Sequence, residues 1–127
     1  MEGASKKIVL VGHCGPDSYA LKHAVSRMAP GSSVVLTMSE SELTRELPTA
    51  DLVLVNRLLD GDYALSQGVD LIAQIASSPD PKPATMLISN YADAQAEAET
   101  AGARPGFGKR DIYTPDATAK VRAALGL

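Results

Sequence analysis

His13, Cys14 and Asp17 bring an imidazole, a thiol and a carboxylate into one short stretch that follows the apolar run Lys7 to Val11. Nitrogen and sulfur donors of this kind suit a soft metal ion, and a thiol at a helix N-terminus has its thiolate favoured. The trio could therefore make a ligand- or metal-responsive site, or Cys14 could act as a nucleophile. Two adjacent donors are an incomplete set, however, where structural zinc normally takes four ligands. The plainer reading is a small loop in which Asp17 caps the helix that follows. Gly12 and Gly15 bracket the same loop and raise the idea of a phosphate cradle. A dinucleotide fingerprint would need a third glycine and a ribose-binding acid after the next strand, where the chain instead reads Thr37-Met38-Ser39.

Asn56 is the other position of chemical weight. It closes the run Leu52-Val53-Leu54-Val55, which is too short for a free-standing helix and too apolar for a strand with one wet face. A central parallel strand buried on both faces fits it, and the residue at the C-terminal end of such a strand sits where open α/β sheets build their sites. A carboxylate there could bind a metal or accept a group. An amide offers a neutral carbonyl oxygen, a donor and poor nucleophilicity.

The elements that must position these residues alternate regularly. Strand one is Lys7 to Val11. Helix one runs from about Asp17 to Met28, with Leu21, Ala24, Val25 and Met28 as its core stripe and His23 on the polar side. Strand two is Val34 to Met38. Ser39 and Glu42 form a capping box for a short helix two that runs towards Leu47 and ends at Pro48. After strand three comes a polar loop, Arg57 to Gln67, and then helix three, about Val69 to Ser77, which buries Leu71, Ile72 and Ile75. Strand four is Ala84 to Ser89 and helix four Ala92 to Ala101, closed by Gly102. A fifth strand is expected near Arg104 to Lys109. Thr114 and Pro115 open helix five, which turns Val121, Ala124 and Leu125 inward before Gly126. Five strand-helix alternations imply an α/β fold, doubly wound, with a five-stranded parallel sheet and right-handed crossovers.

The 127 residues are 45% apolar and 21% charged, with a net charge of −3, enough for one domain spanning 1–127 with residues 1–6 as a short polar tail. That charge gives no footprint for nucleic acid or a membrane surface, and no run approaches the roughly 20 apolar residues of a bilayer span. A lone cysteine, Cys14, agrees with a reducing, cytoplasmic setting. No Walker loop, nucleophile elbow, His-Glu-x-x-His or paired Cys-x-x-Cys occurs.

The stretch Ile88-Ser89-Asn90-Tyr91-Ala92-Asp93, continuing through Ala101-Gly102-Ala103 to Lys109, resembles the receiver domain of two-component response regulators (CheY-like). Ser89 looks like the family's Ser/Thr after strand four, and Lys109 like its lysine at the end of strand five. The resemblance covers nearly the whole chain, and the intervals of 33 residues from Asn56 to Ser89 and 20 from Ser89 to Lys109 are close to the family's. It implies a (βα)5 flavodoxin-like fold with strand order 2-1-3-4-5. It also places Asn56 where the family has its phosphoryl-accepting aspartate, and Gly12-His13 where it has an acidic pair that helps to hold Mg²⁺.

Mg²⁺ requires oxygen ligands, preferably carboxylates, and these positions offer no carboxylate, only the neutral carbonyl oxygen of Asn56. The chain therefore resembles an atypical, pseudo-receiver member with a degenerate pocket of Gly12, His13, Asn56, Ser89 and Lys109. Phosphorylation, metal, cofactor and catalysis are all unexpected there. Asn56 is expected to hydrogen-bond Lys109 or Ser89. Ser89 and Lys109 could hold an anion, or Ser89 could simply cap the next turn. Lys109 is followed by Arg110 in place of the family's proline, and the family's switch aromatic is shifted to Phe107. The loop after Asn56 is about four residues longer than is usual. The resemblance implies a signalling protein that works by binding a protein partner, a histidine kinase or another regulator. Tyr91, Gln95 and Phe107 are the expected partner surface, and a homodimer could form through helix four to helix five.

Overall fold

Each apolar run of the sequence is long enough for one strand, and each amphipathic stretch has one face to bury, so the chain resolves into a two-sided sheet. The structure is a computed structural model that describes residues 5–127; residues 1–4 of the expected tail lie outside it. In chain order the elements are β1 (Lys7–Val11), α1 (Gly15–Met28), β2 (Ser33–Thr37), α2 (Glu40–Glu46), β3 (Leu52–Asn56), α3 (Gly68–Ala76), β4 (Ala84–Ile88), α4 (Ala92–Thr100), β5 (Arg104–Phe107) and α5 (Pro115–Leu125). Two 3-10 turns, Leu47–Thr49 and Lys109–Asp111, lie between them. All strand pairs are parallel and the order is β2-β1-β3-β4-β5.

Because side chains alternate along a strand, each strand feeds two cores. Ile8, Leu10, Leu52, Leu54, Met86 and Ile88 point to one side, where Leu21, Val25 and Met28 of α1 and Val121 and Leu125 of α5 cover them. Val9, Val11, Val53, Val55 and Leu87 point to the other, against Leu43 of α2, Leu71, Ile72 and Ile75 of α3, and Ala98 of α4. Strand β3 lies between β1 and β4 with Leu52 to Val55 at zero exposure, which leaves Asn56 at the rim as the hydropathy pattern required.

Several local features depart from the reading of the sequence. Helix α1 begins at Gly15, with Cys14 as an N-cap residue that makes no side-chain cap bond, so Asp17 already lies in the first turn and caps nothing. Ser39 does accept from the Glu42 amide at 3.2 Å, but Glu42 reaches back to the Met38 amide at 2.8 Å, one residue before the capping-box position. Strand β5 ends at Phe107 after a register shift between Met86 and Ile88, so Lys109 sits in a 3-10 turn beyond it.

That shift decides where two expected surface residues go. Phe107 is 4% exposed, packed in the α1–α5 core, and belongs to no partner surface. Gln95 is half-buried, and its amide donates to the carbonyls of Leu87 at 2.9 Å and Ser89 at 3.0 Å. It fills the irregularity between β4 and β5. Gly106 must be glycine beside it, since a Cβ would run into the Leu87 carbonyl and the Gln95 amide. Of the three expected surface residues, Tyr91 alone is exposed, at 62%.

Candidate functional site

The strand ends β1, β3 and β4 and the turn after β5 converge on one rim, where two cavities lie on either side of Lys109. Asn56 ends β3, and its side chain turns towards β1. Its Nδ2 donates to the carbonyl of Gly12 at 2.9 Å and to that of Leu58 at 2.7 Å. The expected bonds to Lys109 or Ser89 are not made. Two backbone acceptors lie closer to hand than either side chain, and an amide supplies two hydrogens for them.

The Gly12 carbonyl also receives the Asp60 amide at 3.0 Å, so the segment after Asn56 folds back over the end of β1. Gly12 has φ +75, and a Cβ there would meet Leu59 at 2.8 to 2.9 Å. The same segment is fastened to the β2 end: the Asp62 amide donates to Met38 at 2.8 Å, the Glu40 amide to Asp62 at 2.8 Å, and the Tyr63 hydroxyl to Thr37 at 2.7 Å. Leu59, Tyr63 and Leu65 pack on the α2–α4 core. The stretch read as a polar loop is thus an ordered flap, and it covers the ground that side chains after β1 would need.

His13 is buried at 1% exposure and donates from Nε2 to the Leu54 carbonyl at 3.0 Å. Nδ1 has no hydrogen-bond partner among the described residues, and the ring lines a small cavity of about 80 Å³ together with Asp17, Lys109, Leu21, Ile88 and Ile112. Burial, with the positive charge of Lys109 acting the same way, lowers its pKa to about 4 against the raising effect of the Leu54 bond, so the ring is neutral at pH 7.

Asp17 pairs with Lys109 at 2.6 Å across 92 residues of sequence. The ammonium, and after it the Cys14 thiol, holds the Asp17 carboxyl below its usual range. Cys14 itself is half-buried. Among the described residues no group of three or more His, Cys, Asp and Glu is placed to hold a metal ion.

Ser89 is 7% exposed, and its hydroxyl accepts from the Tyr91 amide at 3.1 Å, the turn-capping role. Together with Asn56 and Lys109 it borders the larger cavity, about 390 Å³, whose rim is completed by Arg57, Asn90, Tyr91 and Arg110. Arg57 lies over the Tyr91 ring, 4.8 Å from its centroid. Asn90 Oδ1 accepts from the Arg110 amide at 3.4 Å and sits where a Cβ on Gly108 would be, so only glycine fits there. Sequence reasoning passed over Arg57, Asn90 and Arg110. The one signal available was position: Arg57 follows the strand-end Asn56, and Arg110 follows Lys109.

No protein-family model matches the sequence, and no curated protein matches it either. Solved structures do match. The signal receiver domain of a DNA-binding response regulator from Colwellia psychrerythraea superposes with a TM-score of 0.72 at 13% identity, covering 96% of this chain and 99% of that one. An orphan response regulator of H. pylori gives 0.69 at 16% identity over 96% and 98%. The non-phosphorylated receiver domain of the Escherichia coli stress response regulator RcsB gives 0.71 at 15% over 95% and 93%. The fold is the CheY-like receiver fold, as the motifs around Ser89 and Lys109 led one to expect.

Proposed function

We propose that the chain is a pseudo-receiver that acts in two-component signal transduction by binding a protein partner, in the cytoplasm, without phosphorylation of its own pocket. The observation that carries the proposal is the double donation from Asn56 to the Gly12 and Leu58 carbonyls, under a flap anchored on Gly12. At the rim where a phosphoryl acceptor and its Mg²⁺ ligands would be needed, this chain has an amide engaged as a donor and a glycine covered by Leu59. Neither can supply the anionic oxygens that a hard divalent ion and a phosphoryl acceptor require.

The partner would be a histidine kinase or another regulator, met at the rim around Tyr91 and along the exposed side of α4, which carries Ala92, Asp93, Ala96, Glu97 and Glu99. Two copies could pair through the α4 to α5 face. The test is crosslinking and pull-down of the purified chain against the two-component proteins of its own organism. A complex is expected with and without acetyl phosphate and Mg²⁺, weakened by Tyr91→Ala. A complex that forms only when both reagents are present would sink the proposal.

A further inference from the structure

Arginines that line a cavity commonly meet carboxylates, because a guanidinium offers five donors in a rigid fork. In the 390 Å³ cavity between the ends of β3 and β4 and the turn after β5, they do not. The half-buried Arg57 and the exposed Arg110 both line it, no carboxylate does, and neither guanidinium makes an ion pair or hydrogen bond among the described residues. The third cation, Lys109, is already neutralised by Asp17. Asp60, Asp93 and Asp111, the acids nearest in sequence to the lining, are exposed and outside it.

The Arg57 guanidinium is held by a ring, and the backbone that carries Arg110 is tied to its neighbours. The Tyr91 ring supports Arg57, and the contact of Asn90 with Gly108 and the Arg110 amide fixes the turn that carries Arg110. Helix α4 starts at the same rim without a side-chain cap, and Asp93 in its first turn offsets part of the positive potential of its amides. The volume falls in the range of small-molecule pockets, larger than an inorganic anion requires. Leu58, Ile88 and Tyr91 supply apolar surface for the remainder of a ligand.

We propose that this cavity binds a small organic phosphomonoester of the mononucleotide class, as an intact ester, with Arg57 and Arg110 clamping the phosphate. No bond to Asn56 is formed. A dianion with three free oxygens can accept from two guanidinium groups at once, which a single carboxylate does less well. The inference goes beyond the proposed signalling role and stands without it, since it needs neither a protein partner nor an unphosphorylated pocket.

The test is calorimetric titration of the full chain at low salt with AMP, inorganic phosphate, adenosine and a phosphoserine peptide. One AMP per chain is expected, with weaker binding of inorganic phosphate and none of adenosine. Arg57→Gln and Arg110→Gln should each weaken AMP roughly 10- to 100-fold. Arg110→Gln should leave the Tm of the ligand-free protein unchanged, which separates lost binding from lost folding. No saturable binding of AMP or phosphate would overturn the proposal, as would wild-type affinity in both variants. Equal affinity for AMP and inorganic phosphate would reduce the site to an adventitious ion only, and a phosphopeptide that binds tighter than AMP would overturn the small-molecule assignment.

Discussion

A carboxylate in place of the Asn56 amide would set its oxygens against two backbone carbonyls that now accept from Nδ2 at 2.9 and 2.7 Å. Both acceptors would lose their donor, and lone pairs would face lone pairs. Asn56→Asp is therefore expected to destabilise the protein by about 1 to 3 kcal/mol at pH 7, read by urea unfolding. Unchanged or increased stability would mean that the amide bonds are of no consequence. His13 carries the second expectation at this scale. Its pKa, near 6.5 when unfolded, is lowered to about 4 in the folded state. Its contribution is thus complete above about pH 6.5 and is lost as the pH falls towards 4, where the unfolded chain takes up a proton that the folded chain refuses. That costs roughly 3 kcal/mol over the window. Urea midpoints at pH 7 and pH 4.5 should differ accordingly, and His13→Gln should flatten the difference. Asp17 shifts in the same sense but is more than a third exposed, so solvent screening keeps its share small.

The flap from Arg57 to Gln67 is the element that covers the end of β1, and it rests on Gly12. A side chain at φ +75 is disfavoured by about 1 kcal/mol in its own right, and Leu59 stands 2.8 Å from where the Cβ would be. Gly12→Ala should cost about 2 to 4 kcal/mol with little change in helix content, measured by chemical denaturation followed by circular dichroism. The strands and helices were legible because each has a local cause: Leu52 to Val55 as a continuous apolar run, Leu21 to Met28 as a stripe, Thr114 and Pro115 as a start signal. The flap was not, because Leu59, Tyr63 and Leu65 stand in a stretch rich in Asp and Gly with no period to reveal that they pack on the core. Phe107 was misplaced for a related reason. A register shift at Gly106, needed because the Leu87 carbonyl leaves no room for a side chain, changes which face the ring takes.

Across the whole molecule, the sheet order and the grouping of Asn56, Ser89 and Lys109 at one rim were legible through the resemblance, since three strand ends of a parallel sheet must converge there. The pairings themselves were not. Asp17 with Lys109, Arg57 with Tyr91 and Asn90 with Gly108 join distant segments, and no spacing in the sequence encodes them. The Asp17–Lys109 pair spans α1 and the turn after β5, yet both side chains are more than a third exposed. Lys109→Ala is therefore expected to cost less than about 1 kcal/mol. A larger loss in urea unfolding would mark the pair as a structural tie between the two halves of the rim.

The central claim, that this rim no longer receives a phosphoryl group, is tested most directly by intact mass spectrometry after incubation with acetyl phosphate and Mg²⁺. The wild type and Asn56→Asp should be run side by side. No adduct is predicted on either protein, because the covered Gly12 and the buried, neutral His13 leave a restored carboxylate without its metal. A phosphoryl adduct on the wild type would contradict the account outright, and one confined to Asn56→Asp would show that the amide alone had silenced the pocket.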